Sequence, residues 1–135
     1  MVKVLVYSAE ELIGSAKLTQ TDPPMGCASG AFHPTDSYRK IQPLIRKQHL
    51  YDGTLGKIDN EKLRSIQDKL KSFDMIIKTE TGETLYPAGG IHFVDFTDSL
   101  ENEPIHLDVL GLDHQIFSRL FPGEYQKYEE QFRLC

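Results

Sequence analysis

The second half of the chain is a series of short segments with strand character, separated by turn residues, and this pattern constrains the fold most strongly. Residues 74–79 and 83–86 flank a Thr-Gly dipeptide, which is typical of a tight turn between antiparallel strands. A loop rich in Pro and Gly then precedes two further apolar segments, residues 91–97 and 104–110. Hairpins between neighbouring segments account for this pattern. We therefore predict a mainly antiparallel sheet.

The first half adds further strands. Residues 2–8 carry apolar side chains on both faces, which predicts a central strand. Residues 10–18 fit either a second, more polar strand or a short helical turn. Residues 26–32 are mostly small, and a strand lined with small residues leaves room for a close neighbour.

Three segments have helical character. Residues 35–45 carry apolar side chains at helical spacing, but Pro43 removes an internal hydrogen bond and predicts a kink or two short helices. Residues 59–73 form the clearest amphipathic pattern, and a closing helix follows Asp113. Together with the strands, these segments predict an α+β fold in which two to four helices pack on a mainly antiparallel sheet.

Length and composition predict one globular domain over residues 1–135. With 39% apolar residues, a chain of this size can bury a core without disulfides. Its two cysteines, Cys27 and Cys135, define no disulfide framework, and its start lacks the features of a signal peptide. No segment approaches the length of a membrane span, so we expect a cytoplasmic protein. Nucleotide-binding glycine motifs are absent from the sequence, and we expect no cofactor.

One stretch of the first 40 residues carries a resemblance. The elements YS, ELIG and DPPMG-x-A-x-G-x-F-x-P occupy residues 7–8, 11–14 and 22–34. In these elements the chain resembles a family of small uncharacterised bacterial proteins. The resemblance implies a bacterial source and supplies no catalytic residues, because that family has no assigned activity. From the residues alone, the DPPMG segment predicts a tight turn between strands.

The two apolar segments near the end of the sheet predict a polar cluster. If residues 91–97 and 104–110 form a hairpin, burial of both apolar faces pairs Phe93 with Leu107. The same register places His92 opposite Asp108 and leaves His106 on the same face, where opposed side chains lie roughly 5 Å apart. Two histidines and a carboxylate would then share one surface.

That cluster has two chemical interpretations. A carboxylate at Asp108 could orient His92 or His106 as a general base in a small hydrolase. Alternatively, His92, His106 and Asp108 could bind a metal ion if a further ligand such as His114 approached. A simple hydrogen-bonded surface pair would leave the cluster without a function.

The charge distribution leads to a different function class. Residues 1–72 carry 11 basic and 8 acidic side chains, a net charge of +3, whereas residues 73–135 carry 4 and 12, a net charge of −8. The total of −5 argues against direct nucleic-acid binding. We predict a non-enzymatic module, similar in role to an immunity protein or antitoxin, that binds a basic protein partner. Its proposed contact residues are Asp95, Asp98, Glu101, Glu103 and Asp108.

Two further surfaces leave their role open. Tyr125, Tyr128 and Phe132 form one helical stripe, which either packs on the protein's own sheet or supplies a homodimer face. A pocket between the helices and residues 26–30 would suit a small ligand.

Overall fold

The computed structural model describes residues 2–97 and 104–134, with side chains up to residue 131. Within these residues the chain forms eight strands and four α-helices. The strands are β1 Val2–Ser8, β2 Glu11–Leu18, β3 Gln20–Asp22, β4 Cys27–Pro34, β5 Met75–Thr79, β6 Thr84–Leu85, β7 Gly90–Val94 and β8 Ile105–Leu110. The helices are α1 Gln42–His49, α2 Asn60–Lys71, α3 His114–Leu120 and α4 Pro122–Leu134.

All eight strands belong to one antiparallel sheet. Seven of them follow the order β6-β5-β1-β2-β4-β8-β7, and β3 pairs with β4 beside this path. The predicted α+β fold is confirmed, and β1 is an interior strand between β2 and β5. Val4 and Val6 of β1 are fully buried. No helix among the described residues has the length and apolar character needed to cross a membrane.

The segment around Pro43 divides into two helices, as predicted. A 3₁₀ helix over Asp36–Lys40 precedes α1, and Pro43 lies in the first turn of α1. Proline is tolerated there because the first N–H groups of a helix have no intrahelical partner. Ile41, which precedes α1, is buried together with Ile45 and, one turn later, His49 of the helix.

The small residues before and within β4 permit two close approaches of the backbone. The DPPMG segment forms a 3₁₀ turn over Pro23–Met25 that ends at Gly26, whose φ of 66° favours glycine. A Cβ atom on Gly30 would lie only 1.8 Å from the carbonyl oxygen of Lys17. Both predictions for this segment, a tight turn and room for a close neighbour, are confirmed.

The sheet curls until its two ends face each other. Met75 of β5 and Ile91 of β7 line the same hollow, although their strands lie at opposite ends of the strand order. The short segment between β6 and β7 links the two ends directly. β7 ends at Val94 and not at residue 97 as predicted. The backbone N–H of Asp95 donates to His49 of α1 instead of to a neighbouring strand, and the Asp95 side chain is buried.

Candidate functional site

The hairpin of β7 and β8 has the register predicted from its apolar faces. Phe93 pairs with Leu107, and His92 lies directly opposite Asp108. The Nδ1 atom of His92 is 3.5 Å from Oδ2 of Asp108, and both side chains are about one-third exposed. One carboxylate therefore faces one nitrogen of a partly accessible imidazole.

A second carboxylate faces the other nitrogen of His92. Oδ2 of Asp52 lies 3.7 Å from Nε2 of His92 and 3.5 Å from Nδ1 of His49. Asp52 follows α1 in a turn in which its Oδ1 accepts a hydrogen bond from the N–H of Thr54 at 2.9 Å. The four side chains form a continuous row, Asp108, His92, Asp52 and His49, which we call the His/Asp row.

The inner end of the row has a defined proton position. The backbone N–H of Asp95 donates to Nε2 of His49 at 3.1 Å, so Nε2 carries the lone pair. Neutral His49 must therefore hold its proton on Nδ1, the atom that faces Asp52. Because His49 is only 2% exposed, this arrangement is shielded from water. His49 acts as a donor that orients the carboxylate of Asp52.

Asp52 remains charged in this environment. Burial would raise the pKa of its carboxyl, but the hydrogen bonds from Thr54 and His49 outweigh that effect and lower it. A negative charge thus lies beside Nε2 of His92 at neutral pH.

Asp95 forms a buried network beneath the row. Its Oδ2 accepts hydrogen bonds from the hydroxyl of Tyr38 at 2.8 Å and from Nε2 of Gln42 at 2.9 Å. Its Oδ1 accepts from the N–H and hydroxyl of Thr97, at 3.0 and 2.6 Å, and lies 4.0 Å from Nε of Arg46. Burial alone would raise the pKa of Asp95, but these hydrogen bonds lower it.

The same geometry has a bearing on metal binding. Ligand atoms of His49, Asp52 and His92 all lie within 4.8 Å of one another, close enough to surround a cation. A metal-ligating histidine normally donates its second ring N–H to an acceptor. His49 has the opposite polarity, because its second nitrogen receives an N–H. The His/Asp row is therefore better suited to proton transfer than to holding a metal ion with His49, Asp52 and His92 as ligands.

A cleft adjoins the row at His92. It has a volume of about 580 Å³ and lies between α1, α2 and the facing ends of the sheet. Its floor is apolar, and Gln48 and His92 are among its polar lining residues. This cleft differs in position from the pocket predicted beside residues 26–30.

Several predicted site residues lie apart from the row. His106 is exposed opposite Val94, and the ring of His114 lies 6.2 Å from that of Tyr125. Neither histidine belongs to the group of ligand atoms around Asp52. As a correction to the predicted partner surface, Asp95 is 1% exposed and its carboxylate cannot face a partner. Asp98, Glu101 and Glu103 lie outside the described residues.

The aromatic stripe near the end of the chain contacts the protein itself. Tyr125 is partly buried, and its ring centroid lies 6.4 Å from that of Phe117 in α3. The ring of Tyr128 lies 6.3 Å from that of Tyr125. The side chain of Phe132 lies outside the described part of the chain.

Sequence reasoning did not identify His49 or Asp52. A signal for His49 exists, because it follows Ile41 and Ile45 on the apolar face of α1 and is therefore expected to be buried. Asp52 has no comparable signal, since its position depends on how the turn after α1 meets β7.

Compared with known proteins, the chain matches no protein-family model, no curated protein and no solved structure.

Proposed function

We propose that this protein is a small hydrolase in which His92 activates a water molecule for attack on an acyl carbon. The supporting observation is the position of His92 between two carboxylates at the edge of a cleft. This geometry favours the enzymatic interpretation of the His/Asp cluster over partner binding. In this proposal Asp52 and His49 act beside His92 and Asp108, whereas the sequence prediction for a hydrolase named His106 as the further residue.

Asp108 and Asp52 have different roles in this proposal. Asp108 accepts a hydrogen bond from Nδ1–H of His92, which leaves Nε2 with a lone pair, as in other histidine–carboxylate pairs. Nε2 and the charged Asp52 are then two acceptors only 3.7 Å apart. A water molecule that donates one proton to each would relieve their repulsion and become oriented by both. The distance of 3.5 Å to Asp108 is long, but catalytic hydrogen bonds often shorten when substrate binds.

The proposed reaction conserves all atoms. The water oxygen bonds to the acyl carbon while Nε2 of His92 takes one of its protons. The tetrahedral intermediate then breaks its bond to the leaving alkoxide, and that alkoxide receives the proton from Nε2. Between these steps the imidazolium of His92 donates to both neighbouring carboxylates, which stabilises its charge.

Hydrolysis of p-nitrophenyl butyrate tests the proposal. We expect kcat/KM of the wild-type protein to exceed the rate constant of free imidazole, and His92→Gln to lower it by about 100-fold or more. Asp108→Asn should cost roughly tenfold or more, because it no longer fixes the proton on Nδ1. His106→Gln is the matched control and should retain wild-type activity.

Two results would contradict the hydrolase. One is a wild-type rate no greater than that of free imidazole at the same concentration. The other is a His92→Gln variant with undiminished activity, which would place the reaction elsewhere.

We retain partner binding as a second proposal, because the acidic charge is concentrated in the second half of the chain. With Asp95 buried, the proposed contact residues are Asp98, Glu101, Glu103 and the partly exposed Asp108. A basic protein surface is the expected partner. The bacterial source and cytoplasmic location inferred from the sequence belong to the same proposal.

A further inference from the structure

We infer that the cleft beside His92 binds an uncharged, unbranched acyl chain, with the acyl carbonyl held by the side-chain amide of Gln48. This inference rests on the proposed hydrolase and names its class of substrate. It depends on three independent features: the lining of the cleft, its shape and the state of Gln48.

The lining favours an apolar ligand. Ile45, Leu70 and Phe93 are buried and line the cleft. Met75, Ile91 and Leu110 are half-buried and form its sides. Burying a hydrocarbon against such side chains is favourable by about 0.8 kcal/mol for each methylene.

The charged groups at the cleft argue against a charged ligand. Among the lining residues, Lys71 and Asp74 are both exposed and carry opposite charges, so they offer no net attraction for an anion or a cation. The charged Asp52 beside His92 further disfavours an anion. A neutral molecule with a long apolar part fits the apolar lining.

The shape favours an extended chain over a compact ring system. A second hollow of about 250 Å³ adjoins the cleft and shares Met75, Gly90 and Ile91 with it. The second hollow is also lined by Ile77, Leu85 and Pro87, and it continues along the junction between the two ends of the sheet. An acyl chain that entered the cleft beside His92 could therefore extend along this junction.

Gln48 is a polar group that awaits a partner in the cleft. It is 8% exposed and lines the cleft, yet its amide forms no hydrogen bond with the residues that the structure describes. Neither amide atom of Gln48 is fully buried, so the amide can exchange water for a polar group of a ligand. An acyl carbonyl oxygen would accept a hydrogen bond from its NH₂ group, and that bond would strengthen as negative charge develops on the oxygen.

Binding of methyl ketones tests this inference without a reaction. These neutral compounds contain a carbonyl and an alkyl chain, and calorimetry or NMR titration gives their Kd. From butan-2-one to octan-2-one, we expect Kd to fall by about three- to fourfold for each added methylene. Met75→Gln should weaken octan-2-one binding several-fold, whereas Met25→Gln, at an exposed site outside the cleft, should not.

The role of Gln48 has its own readout. Gln48→Leu should raise Kd about tenfold for every ketone and leave the dependence on chain length unchanged. It should also lower kcat for p-nitrophenyl butyrate more than it raises KM, because the bond is strongest in the transition state. If Gln48 had only a structural role, Gln48→Leu would not raise Kd equally for every ketone, and it would not lower kcat more than it raises KM.

The outcomes separate this inference from the hydrolase itself. Ketone binding that persists in His92→Gln while hydrolysis is lost supports both proposals. Hydrolysis without ketone binding, or binding that is independent of chain length, overturns the acyl cleft alone. Chain-length-dependent binding without any hydrolysis overturns the hydrolase and leaves the cleft as a binding site.

Discussion

At the scale of single residues, Asp95 connects the stability of the protein to its proposed chemistry. Its backbone N–H sets the proton position of His49, while its carboxylate accepts hydrogen bonds from Tyr38, Gln42 and Thr97. The same residue also holds the end of β7 against α1. A substitution at this position therefore tests how much the buried network contributes.

We expect Asp95→Asn to lower the free energy of unfolding by about 2–4 kcal/mol at pH 7, because an amide presents two N–H groups to partners that are themselves donors. The lowered pKa means that the folded state binds the proton more weakly than the unfolded state does. The carboxylate therefore stabilises the fold above its ordinary pKa of 3.8, and this contribution is lost as pH falls through the lower folded value.

Urea unfolding at a series of pH values measures this difference. The gap between wild type and Asp95→Asn should narrow below about pH 4. Asp68→Asn, at an exposed position of α2, is the control and should change the free energy by less than about 0.5 kcal/mol. An equal stability of Asp95→Asn and wild type at pH 7 would contradict the proposed role of the network.

Residue-level prediction from the sequence succeeded where the partners were neighbours in a sheet. The pairing of His92 with Asp108 follows from the period of two in β7 and β8, since only one register buries both apolar faces. Asp52 reaches the same imidazole through tertiary packing of α1 and its following turn, which no local period encodes. The burial of Asp95 was missed for the same reason.

At the scale of secondary-structure elements, the close contact of β4 with β2 requires a glycine at position 30. Gly30 lets the carbonyl of Lys17 approach to a distance that no other residue permits. We expect Gly30→Ala to destabilise the protein by about 3 kcal/mol or more, because a backbone atom and not a flexible side chain must move. Chemical denaturation followed by circular dichroism measures this effect.

Gly123→Ala provides the comparison for that experiment. A Cβ at this position in α4 meets no atom within 4 Å, so the substitution should be neutral or slightly stabilising. If Gly30→Ala lowered the free energy of unfolding by no more than about 1 kcal/mol, β2 and β4 would be able to move apart at little cost, which would contradict this prediction.

The elements themselves were largely predictable because their signals are local. The interruption at Pro43 and the turn at Gly26 each follow from the chemistry of one residue. The curl of the sheet was not predictable, since it brings together strands that are distant in the strand order and no local pattern encodes that approach.

At the scale of the whole molecule, the charge is unevenly distributed along the chain. If the acidic segment at residues 98–103 attracts a basic partner, the position of the charge must matter as well as its total. We expect the double substitution Glu101→Lys and Glu103→Lys to slow association with a lysine-rich peptide at least tenfold at low salt. Stopped-flow or surface plasmon resonance gives the rate.

A matched pair of substitutions controls for net charge. Glu124→Lys with Glu130→Lys alters the total by the same amount on exposed positions of α4. Equal slowing by both pairs would show that only the total charge acts and would remove the case for a dedicated surface.

The curl of the sheet has a consequence for how copies of the protein associate at high concentration. An open sheet exposes two edges whose unpaired backbone groups can recruit strands from other molecules. Here β6 contributes only two residues at one end, and β7 at the opposite end lines the same hollow as β5 and β6. We therefore expect the curl that forms the cleft to hinder edge-to-edge pairing between copies, the first step of amyloid-like aggregation.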